Sequence, residues 1–272
     1  MRSKQLTNLR INSKQPTDSL EKMAKLTLLV FSVLCLTFSM GIPQSKTEPL
    51  RKQEVTFKTA DGVSLKGSFY SAGKPGPGIL LSHMCDGNGR ESWDGLATQL
   101  AQNGFHVLTW NYRGVGDSDG ERFQGGTMQQ VLEYWRTKWG SDAEAALNFL
   151  TAQPGVNKAA IGAGGASCGV YISLLVAQRH PDQVRTLVLL GGPIDADART
   201  FVEKHDALSL LGVTSEEDQR STTWTREIVT ASKNPSSKLV LYSNAGHGTQ
   251  MLQKEKGLEP MIIEWFKKTL QK

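Results

Sequence analysis

The sequence predicts an α/β protein built on a mostly parallel sheet of eight strands with helices on both faces, and three observations carry that prediction. From residue 78 onward, short apolar runs alternate with helical stretches, which is how doubly buried strands and their crossover helices read. Ahead of them, two runs of period-two alternation flank Asp61-Gly62, the pattern of an antiparallel hairpin. In the middle of the chain, a strand of small residues passes through Gly165-Ala166-Ser167-Cys168-Gly169 directly into an apolar helix. With 272 residues, 39% hydrophobic and 21% charged, the chain has the length and composition of one large α/β domain or two small ones.

Residues 1–45 read as a leader rather than as part of the sheet. Six basic residues (Arg2, Lys4, Arg10, Lys14, Lys22, Lys25) against Asp18 and Glu21 put +4 of the formal +5 before residue 42. The uncharged stretch 26–45 contains the hydrophobic run Leu26–Leu36, as in a secretory signal behind a basic flank. Small residues at 37–41 offer cleavage positions, and Met23 offers a start that would give a signal of usual length. The expectation is export, periplasmic or secreted. The alternatives are an uncleaved membrane anchor, since about 20 uncharged residues approach spanning length, and a buried helix of the domain. Leu34 before Cys35 disfavours a lipoprotein site. The folded domain is then 46–272, near neutral and without a basic patch interleaved with aromatics, so nucleic acid is excluded as an expected partner. A membrane enters only if 26–45 stays as an anchor.

Within the domain, Lys46–Arg51 is a polar linker, and Gln53–Thr59 and Val63–Tyr70 form the hairpin. Gly78–His83 and His106–Asn111 are strands around the helix Ser92–Asn103, whose Trp93, Leu96 and Leu100 share a face. Val131–Gln153 reads mainly as helix, Ala159–Gly164 as strand and Val170–His180 as helix. Thr186–Leu190 and the weaker Ala207–Val213 are further strands, followed by a helix at 221–233, the strand Lys238–Tyr242 and a closing amphipathic helix Leu258–Leu270. No internal repeat or low-complexity tract interrupts this order.

Chemistry concentrates at Gly165–Gly169. A strand that turns at once into a helix forces its central residue to φ > 0, and the backbone passes too close for side chains two residues either side. Ser167 Oγ is then exposed at the carboxyl edge of the sheet, with the Cys168 N–H facing the same space as an oxyanion donor. The competing reading is a small-residue turn that happens to hold a serine.

Together these features make residues 53–272 resemble the α/β-hydrolase superfamily, in the region of dienelactone hydrolases and small serine esterases. Asn111–Gly120 resembles the turn after that family's fourth strand, Asp142–Gly155 the helix before its elbow, and Asn244-Ala245-Gly246-His247-Gly248 its histidine loop. The resemblance implies a Ser–Asp/Glu–His order. Of the five histidines, His106 and His180 read as structural, His205 lies in a polar stretch without a motif, and His83 is placed to support the oxyanion loop. His247, between glycines, is the expected base. The acid expected is Asp218 in Val213–Asp218, with Glu217 adjacent and Asp195 at the alternative site of some members; an acidic helix-capping run is the competing reading. The second oxyanion donor falls to the backbone N–H of Met84, although His83-Met84-Cys85 departs from the His-Gly usual there.

Trp110, Tyr112, Trp135 and Trp139 are candidates to line an acyl pocket, and 119–140 to cover it. The short interval between the sixth and seventh strands leaves no room for a large lipase lid. The expected function is a serine hydrolase of the carboxylesterase type, cleaving an ester of a small or medium acyl group through an acyl-enzyme, with a small-molecule ester as its partner and without a cofactor or metal. No ligand spacing for zinc or calcium occurs, and no dinucleotide fingerprint follows a strand. Alternatives are a peptidase or acyltransferase with the same triad, or a non-catalytic binding protein. Of the three cysteines, Cys35 lies in the leader. The resemblance brings the other two, Cys85 and Cys168, to one neighbourhood, where either a bridge or two packed thiols is expected.

Overall fold

The computed structural model describes residues 52–85 and 88–271. The expectations for residues 1–45, and for the linker Lys46–Arg51, lie outside the described residues. Eight strands form one sheet in the order β1-β2-β4-β3-β5-β6-β7-β8. β1 (Lys52–Lys58) and β2 (Ser64–Tyr70) are the antiparallel hairpin, and β2 also runs antiparallel to β4 (His106–Trp110). β3 (Gly76–Ser82), β5 (Val156–Ala166), β6 (Val184–Leu190), β7 (Ser209–Ser215) and β8 (Lys238–Tyr242) are parallel to β4 and to one another. The fold class expected from the sequence is the one observed.

Alternate residues of the central strands enter opposite cores, as the period of two requires. Leu80, Leu108, Ile161, Ala163, Leu187, Leu189 and Leu210 face one layer. There they meet helices α3 (Gly140–Ala152), α4 (Cys168–Arg179), α5 (Ala196–Lys204) and α6 (Gln219–Ala231). Ile79, Leu81, Val107, Val188, Leu190, Leu211 and Val213 face the other, against α1 (Asp94–Gln102) and α8 (Leu258–Leu270). Burial on both faces is why these strands read as continuous apolar runs.

The helical stretch expected at Val131–Gln153 differs in detail. It begins earlier, as α2 (Met128–Tyr134), where Thr127 and Gln130 form a reciprocal capping box. It passes through a π-helical turn at Trp135–Trp139 before α3. Two more helices were not expected. α5 occupies the stretch before β7, so His205 is a helix terminus rather than part of a loop. A short α7 (Gln250–Lys254) follows the histidine loop. The interval between β6 and β7 holds only α5, which agrees with the absence of a large insertion there. Among the described residues, no helix is long and apolar enough to cross a membrane.

Candidate active site

Ser167 sits between β5 and α4 with φ 53°, the only non-glycine residue with positive φ among those described. The flanking glycines are demanded by close backbone approach. A Cβ at Gly165 would lie 2.0 Å from the Gly169 carbonyl oxygen, and one at Gly169 would lie 2.2 Å from that of Ser82. Ser167 N–H is shared between the carbonyls of Leu190 and Gly191, each at 3.2 Å, which ties the turn to the end of β6. Cys168 begins α4, so its N–H belongs to the free amides of a helix N-terminus, where partial positive charge favours an anion.

His247 and Asp218 are joined: Asp218 Oδ2 accepts from His247 Nδ1 at 2.5 Å. Asp218 also caps α6, its Oδ1 accepting from Ser221 N–H at 3.3 Å. Burial alone would raise the Asp218 pKa, but the hydrogen bonds from Ser221 and His247 outweigh it and hold the carboxyl below its usual value. The imidazole is 40% exposed and the carboxylate 22%, so the pair is held from the protein side while the ring opens to solvent. The loops that carry these residues pack close to the elbow. Asp218 Oδ2 lies 3.8 Å from a Cβ built at Gly191, whose carbonyl accepts from Ser167 N–H. Ala166 Cβ lies 3.4 Å from one built at Gly248.

The two rival acids are engaged elsewhere. Asp195 caps α5 through Ala198 N–H at 2.8 Å and pairs with Arg136 at 3.1 Å. Glu217 accepts from Gly246 N–H at 2.5 Å and anchors the histidine loop by its backbone. That anchor is a contribution the sequence reading missed, since Glu217 appeared only as a competitor of Asp218. The other histidines are structural. His106 Nε2 bonds the Lys74 carbonyl at 2.9 Å, His180 pairs with Glu144 at 2.7 Å, and His205 Nδ1 bonds the Phe201 carbonyl at 2.7 Å. His83 is buried at the end of β3, next to Met84. Its Nδ1 meets the Met84 carbonyl at 2.5 Å and its Nε2 accepts from Tyr112 N–H at 3.4 Å, an arrangement that fits the neutral Nδ1–H tautomer.

Met84 is clamped from below. Its Sδ accepts from Thr249 N–H at 3.3 Å, and a Cβ at Gly248 would lie 2.1 Å from it. Gly248 therefore serves close packing of the histidine loop on Met84. Cys85 and Cys168 form a disulfide with Cα atoms 6.0 Å apart, which settles the open alternative in favour of the bridge.

A cavity of about 380 Å³ opens beside Met84 and Cys85, with Tyr112, Phe123, Trp135 and Trp139 as its aromatic walls and Arg122 contributing its one cationic side chain. Tyr112, Trp135 and Trp139 were expected there; Trp110 is not among the lining residues and lies fully buried in the core. Burial raises the Tyr112 phenol pKa, and its hydroxyl donates to the His83 carbonyl at 3.0 Å. Phe123 comes from 119–140, the stretch expected to cover the pocket, and stacks on Tyr134 with ring centroids 4.4 Å apart. Neither Ser167 nor His247 lines this cavity or the larger depressions of about 680 and 720 Å³; what sets this one apart is that His83, Met84 and Cys85 are in its wall.

Comparison with known proteins agrees with this architecture. The family model described as alpha/beta hydrolase fold matches residues 77–209. A dienelactone hydrolase from Anabaena variabilis superposes with TM-score 0.66 at 21% identity, covering 81% of this chain and 99% of that one. An esterase from Pyrococcus furiosus gives TM-score 0.61 at 16% identity, covering 81% and 92%. Among curated sequences, a thiohydrolase of Aspergillus aculeatus is 30% identical over 115 residues, 42% of this chain and 33% of the relative. A polyketide transferase of Stachybotrys chlorohalonatus is 27% identical over 128 residues, 47% of this chain and 40% of the relative. The chain thus spans well under half the length of these two curated relatives.

Proposed function

This chain has the α/β-hydrolase fold, and on that premise we propose that it is a serine hydrolase acting by an acyl-enzyme on an ester of a small or medium acid. The observation that carries this reading is the Asp218–His247 hydrogen bond beside a serine held at φ 53°. Asp218 fixes the imidazole with its Nδ1 protonated, leaving Nε2 to take the serine proton. Ser167 Oγ attacks the carbonyl carbon as His247 accepts that proton, and the carbonyl oxygen becomes an oxyanion facing the amides of Cys168 and Met84. The tetrahedral intermediate collapses, and His247 returns the proton to the departing alcohol. Water, deprotonated by the same histidine, then releases the acid. The aromatic cavity beside Met84 receives the acyl group.

A second reading changes the electrophile or the acceptor and not the machinery. The thiohydrolase and polyketide transferase relatives favour a thioester substrate or transfer to an acceptor other than water, each through the same acyl-enzyme. Labelling by a fluorophosphonate tests the common step. The purified protein should label stoichiometrically and Ser167→Ala should not; retained labelling of that variant would move the nucleophile elsewhere. Parallel turnover of p-nitrophenyl esters and of acyl thioesters then separates the two readings.

A further inference from the structure

The disulfide lies at a place where the proposed chemistry is most sensitive to position. Cys168 immediately follows Ser167, is buried, and supplies one oxyanion amide at the first position of α4. Cys85 is the residue after Met84, which supplies the other amide, and is exposed. The bond therefore joins the two donors' chain segments across the space where the oxyanion forms. Among the described residues, Met84 is also held at its carbonyl oxygen by His83, at its sulfur by Thr249 N–H, and at the peptide that carries its N–H by the Tyr112 hydroxyl, which donates to the His83 carbonyl at 3.0 Å. None of these joins the Met84 segment covalently to that of Cys168, as the disulfide does.

Resting on the hydrolase reading above, we propose that Cys85 and Cys168 are positioning residues, whose disulfide holds the Met84 and Cys168 amides in register for the oxyanion, and that reduction by a dithiol slows the chemical step while the fold persists. A transition-state donor set works because its dipoles are fixed before the charge develops; a loop free to reorient loses that advantage without losing the acyl cavity. Exposure of Cys85 makes its sulfur the accessible point of attack. A thiolate of the dithiol bonds to Cys85 Sγ, the Cys85–Cys168 bond breaks, and Cys168 leaves as a thiolate that takes a proton. The second thiol of the reductant then displaces Cys85 as a thiol, so two electrons pass to the protein and the reductant ends as a cyclic disulfide. The Cys168 thiol is left in an apolar setting where a small, weakly polar group is at home.

The test compares the oxidised full chain, the same protein reduced by dithiothreitol, and Cys85→Ser, whose substitution falls at an exposed position. Each is assayed with p-nitrophenyl butyrate and titrated with phenylboronic acid, whose tetrahedral adduct occupies the oxyanion hole. The expected result is a kcat about tenfold to a hundredfold lower in the reduced protein and in Cys85→Ser, at or below the roughly 10²–10³ for outright loss of one oxyanion donor because the amide is loosened rather than removed, with KM changed less than about twofold. Boronate affinity should fall in parallel. Re-oxidation should restore the wild type, and dithiothreitol should leave Cys85→Ser unchanged. Equal kcat in both redox states, or a loss that tracks the folded fraction in near-ultraviolet circular dichroism, overturns the proposal. An oxidised protein that neither labels with fluorophosphonate nor hydrolyses the ester sinks the hydrolase reading and this proposal with it. One that labels, and turns over equally in both states, sinks this proposal alone.

Discussion

Asp218→Asn separates catalysis from stability, because Asp218 does two jobs with two oxygens. Oδ2 accepts from His247 Nδ1 and Oδ1 caps α6 through Ser221 N–H. Asparagine is about as good an N-cap as aspartate, so the cap survives. What is lost at the helix end is the attraction of a full negative charge to the dipole, about 0.3–1 kcal/mol and less for a partly exposed group. In a domain of this size that corresponds to a shift in Tm of at most about 4 °C. The catalytic loss is of another order: an amide in this position favours the wrong imidazole tautomer, at a cost of about 10⁴ in kcat, or about 5.4 kcal/mol of transition-state stabilisation. Asp218 has a lowered pKa, so the stability it adds is present above the unfolded carboxyl pKa of about 4 and is lost as pH falls through the folded value. The small stability gap between wild type and Asp218→Asn should accordingly close in acid. The assay is p-nitrophenyl butyrate hydrolysis, with thermal melts at pH 7 and pH 3. A kcat for Asp218→Asn within about tenfold of wild type, with the large loss appearing in Asp195→Asn, would refute the argument and move the acid to the end of β6.

Three further outcomes are expected. Ser167→Gly should lose hydrolysis yet gain about 1 kcal/mol of stability, since glycine relieves a backbone conformation that costs about 1–3 kcal/mol while giving up some chain entropy; a lower Tm than wild type would contradict the strain argument. Trp135→Ala and Phe123→Ala, which open the wall of the cavity, should reduce kcat/KM for p-nitrophenyl octanoate about tenfold and leave the acetate nearly unchanged; equal effects on both esters would place the acyl group elsewhere. A chain starting at Ile42 should be folded and active in aqueous buffer, as expected of a cleaved leader; insolubility relieved only by detergent would instead indicate an anchor or a docked helix.

The parts of the fold legible in the sequence are those where one physical demand dominates. Strands covered on both faces must be largely apolar, and β3, β4 and β6 read that way more clearly than β7, which begins at Ser209 and ends in Thr214-Ser215. The elbow is legible because contacts of 2.0 and 2.2 Å leave no alternative to glycine at 165 and 169. α5 is not, because only Ala198 and Val202 of it are buried, a single i, i+4 pair in an otherwise polar stretch. The π-helical turn is hidden for a related reason. Trp135 and Trp139 stack at 5.5 Å, but an i, i+4 aromatic pair fits an ordinary helix equally well, so the sequence carries no mark of the wider turn.

The choice of acid shows most clearly where local sequence runs out. Asp195 and Asp218 each follow a strand and cap the next helix through the N–H three residues on, so their local signatures are the same. What separates them is the order of the sheet. β7 is hydrogen-bonded to β8, and the loops leaving these two strands lie side by side: Glu216 N–H bonds the Tyr242 carbonyl at 2.8 Å, and Ser215 Oγ accepts from Ala245 N–H at 2.8 Å. The loop carrying Asp218 is thereby pinned against the loop carrying His247, with Glu217 fixing Gly246 between them. Asp195 leaves β6, one strand further away, and finds Arg136 instead. A carboxylate that orients a base must be held by the same framework that holds the base, and in this chain that framework consists of backbone contacts between two neighbouring strand ends.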